Sequence, residues 1–237
     1  MVVYVYSIVA TTHPQRLDDL DGVGDQPSTL RTVRSGKLAA VVSDTPEGLR
    51  PKRRDLAAHQ AVQERLMADG TLLPLQFGLT AADDDAVRAA LEERAEKYTT
   101  RLRVLQGCAE YHLKATQDEE SLLRQILLDS EEARGLNEEI KSGRGRPDLP
   151  VALGELIARE VRARQDKQAT EVIGALGRLA REERVSQPTG ADFLTVSFLV
   201  EGGRAENFVS AEKELAAELG EDFAFRLRGP LPAYSFV

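Results

Sequence analysis

The chain begins with ten residues, Met1–Ala10, that are almost entirely apolar and rich in valine and tyrosine. Apolar residues on both faces are typical of a strand buried in the middle of a sheet. Two more strands are predicted at Thr29–Arg34 and Lys37–Ser43, and the Ser35-Gly36 pair between them indicates a tight hairpin turn. The N-terminal region is therefore predicted to form a sheet.

Apolar residues at helical spacing dominate the next part of the chain. The first predicted helix runs from Asp55 to Asp69, carries Leu56, His59, Val62 and Leu66 on one stripe, and ends at Gly70. Leu72–Gly78 then reads as a short strand, and Pro74 places it at an edge because proline lacks an amide donor. Three longer helices are predicted for residues 80–107, 119–141 and 150–183, with a strand at Cys108–Ala115 and a capping box at Thr116-x-x-Glu119.

The C-terminal region returns to strands at Phe193–Glu201 and Phe223–Arg228, with a helix at Arg204–Leu219 between them. Strands at both ends of the chain and long helices between them predict an α+β fold. The terminal β-α-β unit indicates a small ferredoxin-like or split βαβ sheet. The Gly/Arg/Pro-rich loop at Ser142–Pro147 is the best break in the chain, and it lies between two predicted long helices. We expect two domains, residues 1–115 and residues 116–237.

Composition excludes several classes of protein. The 237 residues are 42% hydrophobic and 30% charged, which is an ordinary globular balance. The formal net charge of −8 disfavours general nucleic-acid binding, which needs a basic face. No apolar run approaches a membrane span, and the apolar start lacks the basic residues of a signal peptide. The single cysteine, Cys108, fits a reducing compartment, so we expect a soluble cytoplasmic protein.

Candidate catalytic and metal-binding residues are few. The three histidines, His13, His59 and His112, are far apart in sequence and show no metal-ligand spacing. His59 lies on the apolar stripe of its helix, which favours a packing role. The serines lack a nucleophile motif, and no phosphate-binding loop is present. The residues therefore predict a protein without catalytic residues, metal or organic cofactor.

Two apolar segments stand out near the ends of predicted elements. They are Leu72–Phe77 and the terminal Gly229–Val237, where a polar, frayed terminus would be ordinary. Either they complete the core of their own domain, or they form an adhesive surface for another polypeptide. The residues that would pack or contact a partner are Leu75, Phe77, Pro230, Tyr234 and Phe236.

Several stretches together resemble one known family, the gas vesicle accessory proteins GvpF/GvpL. The similarity covers nearly the whole chain, and the two most specific segments are the helix that leads into LPLQFG and the terminal GPLPAYSF. The stretches that carry it are Tyr4–Val9, Leu38–Ser43, Ala58–Gln60 with Leu73–Gly78, Gly107–Tyr111 and Gly229–Phe236.

The resemblance implies a two-part α+β molecule with a modified ferredoxin-like part and no enzymatic activity. It also implies a gas vesicle associated factor that binds the small hydrophobic shell protein and other accessory proteins while the shell nucleates or grows. Two alternatives stay open: a minor structural component of the vesicle wall, and an enzyme of ferredoxin-like architecture that uses Cys108 or His59.

Overall fold

A computed structural model describes residues 1–26, 28–143 and 146–237. It divides into two compact units. The first contains Met1–Tyr111, Leu199–Gly202 and Gly229–Val237, and the second contains His112–Phe198 and Gly203–Arg228. The predicted α+β class is confirmed, since sheets occur at both ends of the chain with helices between them. The predicted division into an N-terminal domain, residues 1–115, and a C-terminal domain, residues 116–237, stays a prediction.

The first unit is built on a sheet in the order β2-β3-β1-β4, with β5 also paired to β1. Its strands are β1 Val3–Ala10, β2 Arg31–Ser35, β3 Leu38–Asp44, β4 Leu72–Pro74 and β5 Thr80–Ala81, and its helices are α1 Arg53–Asp69, α2 Asp84–Glu93 and α3 Ala95–Leu105. β1 is central and buried on both faces, as its apolar pattern predicts. β4 lies at the edge that Pro74 predicts, although only three residues form the strand.

Two hydrophobic clusters cover the two faces of this sheet. Val3, Val5 and Ile8 of β1 belong to the cluster with α2 and α3 residues. Tyr4, Tyr6 and Val9 belong to the other, with Val62 and Leu66 of α1. The change from odd to even positions follows a register irregularity between Val5 and Ser7, where an extra residue reverses the alternation.

The second unit contains most of a four-stranded sheet in the order β7-β8-β6-β9. The elements are β6 Cys108–Gln117, α4 Glu119–Asp129, α5 Glu131–Lys141, α6 Leu149–Gly177, β7 Glu182–Ser186, β8 Asp192–Glu201, α7 Ala205–Leu219 and β9 Phe223–Leu231. β8 and β9 are joined through α7 and flank β6, which is the predicted split βαβ arrangement. Phe208 of α7 packs on Phe198 of β8 with ring centroids 5.2 Å apart.

Several predicted elements are wrong in detail. The turn residues are Gly36 and Lys37, because Ser35 pairs with Leu38 and Gly36 has a φ of 56°. Leu56 is 43% exposed and does not join the buried stripe of α1. The helix predicted over residues 80–107 is interrupted at Arg94. Gly107, with a φ of 70°, lies in the tight connection from α3 to β6.

The middle of the chain differs more from the prediction. Thr116 belongs to β6 and forms no capping box, because Asp118 caps α4 by accepting from the Ser121 N–H. Ser130 caps a new helix, so the predicted 23-residue helix is two helices of 11 residues. The last long helix ends at Gly177, and Glu182–Ser186 is a strand. The predicted loop at Ser142–Pro147 includes Arg144 and Gly145, which lie outside the described residues.

Candidate functional site

The Leu72–Gly78 segment lies along the edge of β1 in the first unit. Leu73 pairs with Ile8, and the Leu75 N–H donates to the Tyr6 carbonyl at 3.0 Å. The chain then leaves the strand and returns, so that the Val5 N–H donates to the Leu79 carbonyl at 3.0 Å. Backbone hydrogen bonds therefore fix both ends of this segment on one strand.

His59 of α1 connects the helix to this segment. Its Nε2 is 3.1 Å from the Leu75 carbonyl, which can only accept, so Nε2 carries the proton. Its Nδ1 therefore accepts from the Tyr4 hydroxyl at 2.9 Å. The same hydroxyl accepts from the Gly78 N–H at 3.1 Å. One histidine and one tyrosine thus hold the LPLQFG turn on the sheet.

Burial fixes the charge states of this pair. His59 is 4% exposed, and desolvation lowers the pKa of its imidazole because the charged form is disfavoured away from water. Burial also raises the pKa of the Tyr4 phenol, with the Gly78 hydrogen bond opposing it. Both side chains are therefore neutral near pH 7. This agrees with the packing role predicted for His59.

Aromatic rings surround the histidine. The Tyr6 ring stacks on His59 with centroids 5.6 Å apart, and the Phe77 ring meets His59 edge-on at 5.8 Å. Gln63, one helical turn after His59, donates to the Tyr6 carbonyl at 2.5 Å and accepts from the Ser7 hydroxyl. Such a closed network of buried polar groups rigidifies the part of the fold that contains it.

The C-terminal segment Gly229–Val237 belongs to the same unit. The Tyr234 hydroxyl lies 3.3 Å from Nε2 of His59, and burial raises the pKa of Tyr234 to about 12. Ser235 donates twice to the Glu110 carboxylate, from its N–H at 2.9 Å and from its hydroxyl at 2.7 Å. Arg101 donates to the carbonyl of Phe236. The two most specific segments of the sequence therefore meet at one histidine.

The five predicted site residues have different environments. Phe236 is 3% exposed and belongs to a hydrophobic cluster of the first unit. Leu75, Phe77 and Tyr234 are half-buried, whereas Pro230 is exposed. The structure thus brings Leu75, Phe77 and Tyr234 together around His59 and leaves Pro230 at the surface. Contact of these residues with a partner stays a prediction.

An open apolar groove adjoins Phe77. Its volume is about 670 Å³, and its apolar lining comes from Pro46, Leu49, Pro51, Leu56 and Phe77. Leu56 is 43% exposed, and Leu79, next to the lining residue Gly78, is 47% exposed. Partly exposed large side chains beside a concave apolar surface are typical of a protein-contact surface.

His59 and Cys108, the two residues of the enzyme alternative, both form hydrogen bonds. Both ring nitrogens of His59 are engaged, and the Cys108 thiol donates to the Gln106 carbonyl at 3.6 Å. Within residues 1–26, 28–143 and 146–237, no group of three or more His, Cys, Asp or Glu side chains is placed to hold a metal ion. Among the helices of these same ranges, none is long and apolar enough to cross a membrane.

Sequence reasoning missed two buried carboxylates in the first unit. Asp55 is 2% exposed, accepts from the Gly24 N–H at 2.9 Å and pairs with Arg54. Lys52 and Arg54, which lie in the basic stretch Arg50-Pro-Lys-Arg-Arg54, also pair with Asp25, so part of this stretch has a structural role. Glu110 is 4% exposed and binds Ser235. The alternation of β6 marks Tyr111, Leu113 and Ala115 as its buried face and places Glu110 on the other face with His112, so it gave no signal for the burial of Glu110.

Comparison with known proteins identifies the family. The model of the gas vesicle synthesis protein GvpL/GvpF family matches residues 2–237. Gas vesicle protein F of Streptomyces sp. (strain CB03234) is 44% identical over 238 residues, covering 100% of both chains. Gas vesicle protein L of the same strain is 27% identical, covering 99% of this chain and 92% of its own.

Solved structures show the same fold. The crystal structure of GvpF from Anabaena sp. PCC7120 matches with a TM-score of 0.82 at 20% identity, covering 99% of this chain and 97% of that one. GvpF from Microcystis aeruginosa matches with a TM-score of 0.79 at 21% identity, covering 99% and 98%. Together with the whole-length match of the family model, this shows that the chain belongs to the gas vesicle synthesis protein GvpL/GvpF family.

Proposed function

We propose that this protein is a non-enzymatic assembly factor that binds the hydrophobic gas vesicle shell protein, together with other gas vesicle proteins, during nucleation or growth of the shell. Family membership supports a role related to gas vesicles. The observation that supports binding of the shell protein is the apolar groove beside Phe77. The groove is lined in part by the exposed Leu56, and the exposed Leu79 follows its lining residue Gly78.

The physical basis is the removal of apolar surface from water. A shell subunit must bury a hydrophobic surface, and an exposed surface of this kind associates with copies of itself unless another protein covers it. The groove offers apolar contacts, and one of its lining residues, Phe77, packs against the ring of His59. The network around His59 is therefore a scaffold for this surface, and its neutral, fully engaged imidazole supports a binding role over a catalytic one.

A co-purification experiment tests this function. Leu56→Asp with Leu79→Asp places two charges at the groove, and we expect this double variant to lose most of its capture of the purified shell protein. Leu128→Asp with Val185→Asp is the matched control, because these residues are 66% and 59% exposed in the second unit. Equal capture by both double variants, or no capture by the unaltered chain, would contradict the proposal.

A further inference from the structure

The second unit contains a strand with an open edge. Throughout the part of the chain that the structure describes, the sheet ends at β9, which pairs with β6. The opposite edge strand, β7, has only five residues, and Glu182, Glu183 and Arg184 are among them. Short, charged edges are a common protection against strand pairing. β9 is longer and alternates half-buried Phe223, Phe225 and Leu227 with exposed residues.

The backbone groups of β9 point alternately to its two sides. The Asp222 carbonyl accepts from the Asp118 N–H at 2.7 Å, and the Ala224 carbonyl accepts from the Thr116 hydroxyl at 3.4 Å. Both carbonyls are therefore directed toward β6. By the alternation of a strand, the N–H and carbonyl groups of Phe225 and Leu227 are directed to the open edge.

We propose that β9 pairs antiparallel with β9 of a second copy of this chain, about a two-fold axis at Phe225. In this register Phe225 lies opposite itself and Phe223 lies opposite Leu227. These are the residues whose backbone groups face the open edge, so each can hydrogen-bond across it. An antiparallel pair of this kind joins two sheets into one.

In this register the side chains along β9 of one copy are complementary to those along β9 of the second copy. Asp222 lies opposite Arg228 at both ends of the pair, and Ala224 lies opposite Arg226. Opposite charges across a strand pair stabilise it, and like charges destabilise it. A shift of the second copy's strand by two residues in one direction places Arg226 of one copy opposite Arg226 of the other. The shift in the other direction places Leu227 opposite Glu221 and pairs Asp222 with Arg226, which already forms an ion pair with Asp192 of its own chain. The register about Phe225 instead pairs Asp222 with Arg228 and leaves the Arg226–Asp192 ion pair undisturbed.

Sedimentation velocity tests this pairing with the full chain between about 5 and 200 µM, a range suited to a small interface. We expect a concentration-dependent dimer. Arg228→Asp and Asp222→Arg each place like charges opposite one another twice, so each should raise the dissociation constant by about tenfold or more. The double variant Asp222→Arg/Arg228→Asp restores both pairs and should return the constant to within about threefold of the original value.

Arg134→Asp is the matched control, since Arg134 is exposed on α5 of the same unit and carries the same charge change. Circular dichroism and the melting temperature show whether each variant is folded. A chain that stays monomeric over the whole concentration range overturns the proposal. So does a dimer that Arg228→Asp leaves unchanged, because another surface then forms it, and so does a double variant that does not recover.

Discussion

Tyr234 and His59 are 175 residues apart in sequence, and the Tyr234 hydroxyl lies 3.3 Å from Nε2 of His59. The same nitrogen donates to the Leu75 carbonyl in the LPLQFG segment. One neutral imidazole therefore links helix α1, the segment after it and the C-terminal residues of the first unit. The pH dependence and the His59→Gln variant below follow from this arrangement.

Phe236→Ala should lower the free energy of unfolding by about 3–5 kcal/mol, because it removes a buried ring and leaves a cavity. Phe236 is 3% exposed in the core of the first unit, whereas Val237 is 46% exposed. Val237→Ala is therefore the control and should change little. Urea unfolding measures both. A Phe236→Ala variant of unchanged stability that no longer supports vesicle formation would instead make the C-terminal segment a binding element.

The stability of the protein should fall as the pH decreases below about 6.5, the ordinary pKa of histidine. Burial places the pKa of His59 below that value in the folded state, so the unfolded chain binds a proton more readily between the two pKa values. Stability therefore rises with pH in this interval and is complete above it. Tyr4 and Tyr234 stay protonated there, since the pKa of each is raised.

His59→Gln removes the titrating group and should flatten this part of the stability curve, although it lowers stability at every pH. Urea unfolding at a series of pH values between 5 and 8 measures the slope. An unchanged slope in the variant would show that another group produces it. Acidic groups with lowered pKa values, such as Asp69 beside Arg16, contribute the same sign at lower pH.

Gly229→Ala should destabilise the first unit by about 1–3 kcal/mol, because the neighbouring Tyr111 ring and Glu110 carbonyl leave no room for a methyl group. A Cβ at this position would lie 2.6 Å from Cδ1 of Tyr111 and 2.9 Å from the Glu110 carbonyl. Gly154 in α6 is the control, since a Cβ there meets nothing within 4 Å. Gly154→Ala should stabilise the protein by about 0.5–1 kcal/mol. Thermal unfolding distinguishes the two, and equal melting temperatures would refute the steric argument.

Much of the fold can be predicted from local patterns, and the failures have physical causes. The apolar run of β1 and the helical stripe of α1 reflect burial directly, so both elements were predicted. Helix breaks are harder to predict, because the apolar spacing continues through Ser130 although its side chain caps a new helix. The Ser-Glu-Glu sequence there was an available signal. β7 gave no apolar signal, since four of its five residues are exposed and its pairing with β8 defines it.

The candidate site was only partly predictable. The sequence marked Leu75, Phe77, Tyr234 and Phe236 as unusual, but it did not show that His59 joins two of the segments. Glu110 carries no distinguishing signal within its predicted strand, although it is 4% exposed and binds Ser235. The contacts of Glu110 and His59 with the C-terminal segment connect residues more than 100 positions apart, and a local pattern contains no information about them.

The position of Gly229–Val237 in the first unit has a consequence for synthesis of the protein in the cell. Phe236 and Ala233 complete a core whose other members begin at Val3. While the ribosome is still making the helices, this core lacks its last side chains and its apolar surface is open to water. The first unit can therefore complete its core only after residue 236 has been translated, and the nascent chain exposes apolar surface until then.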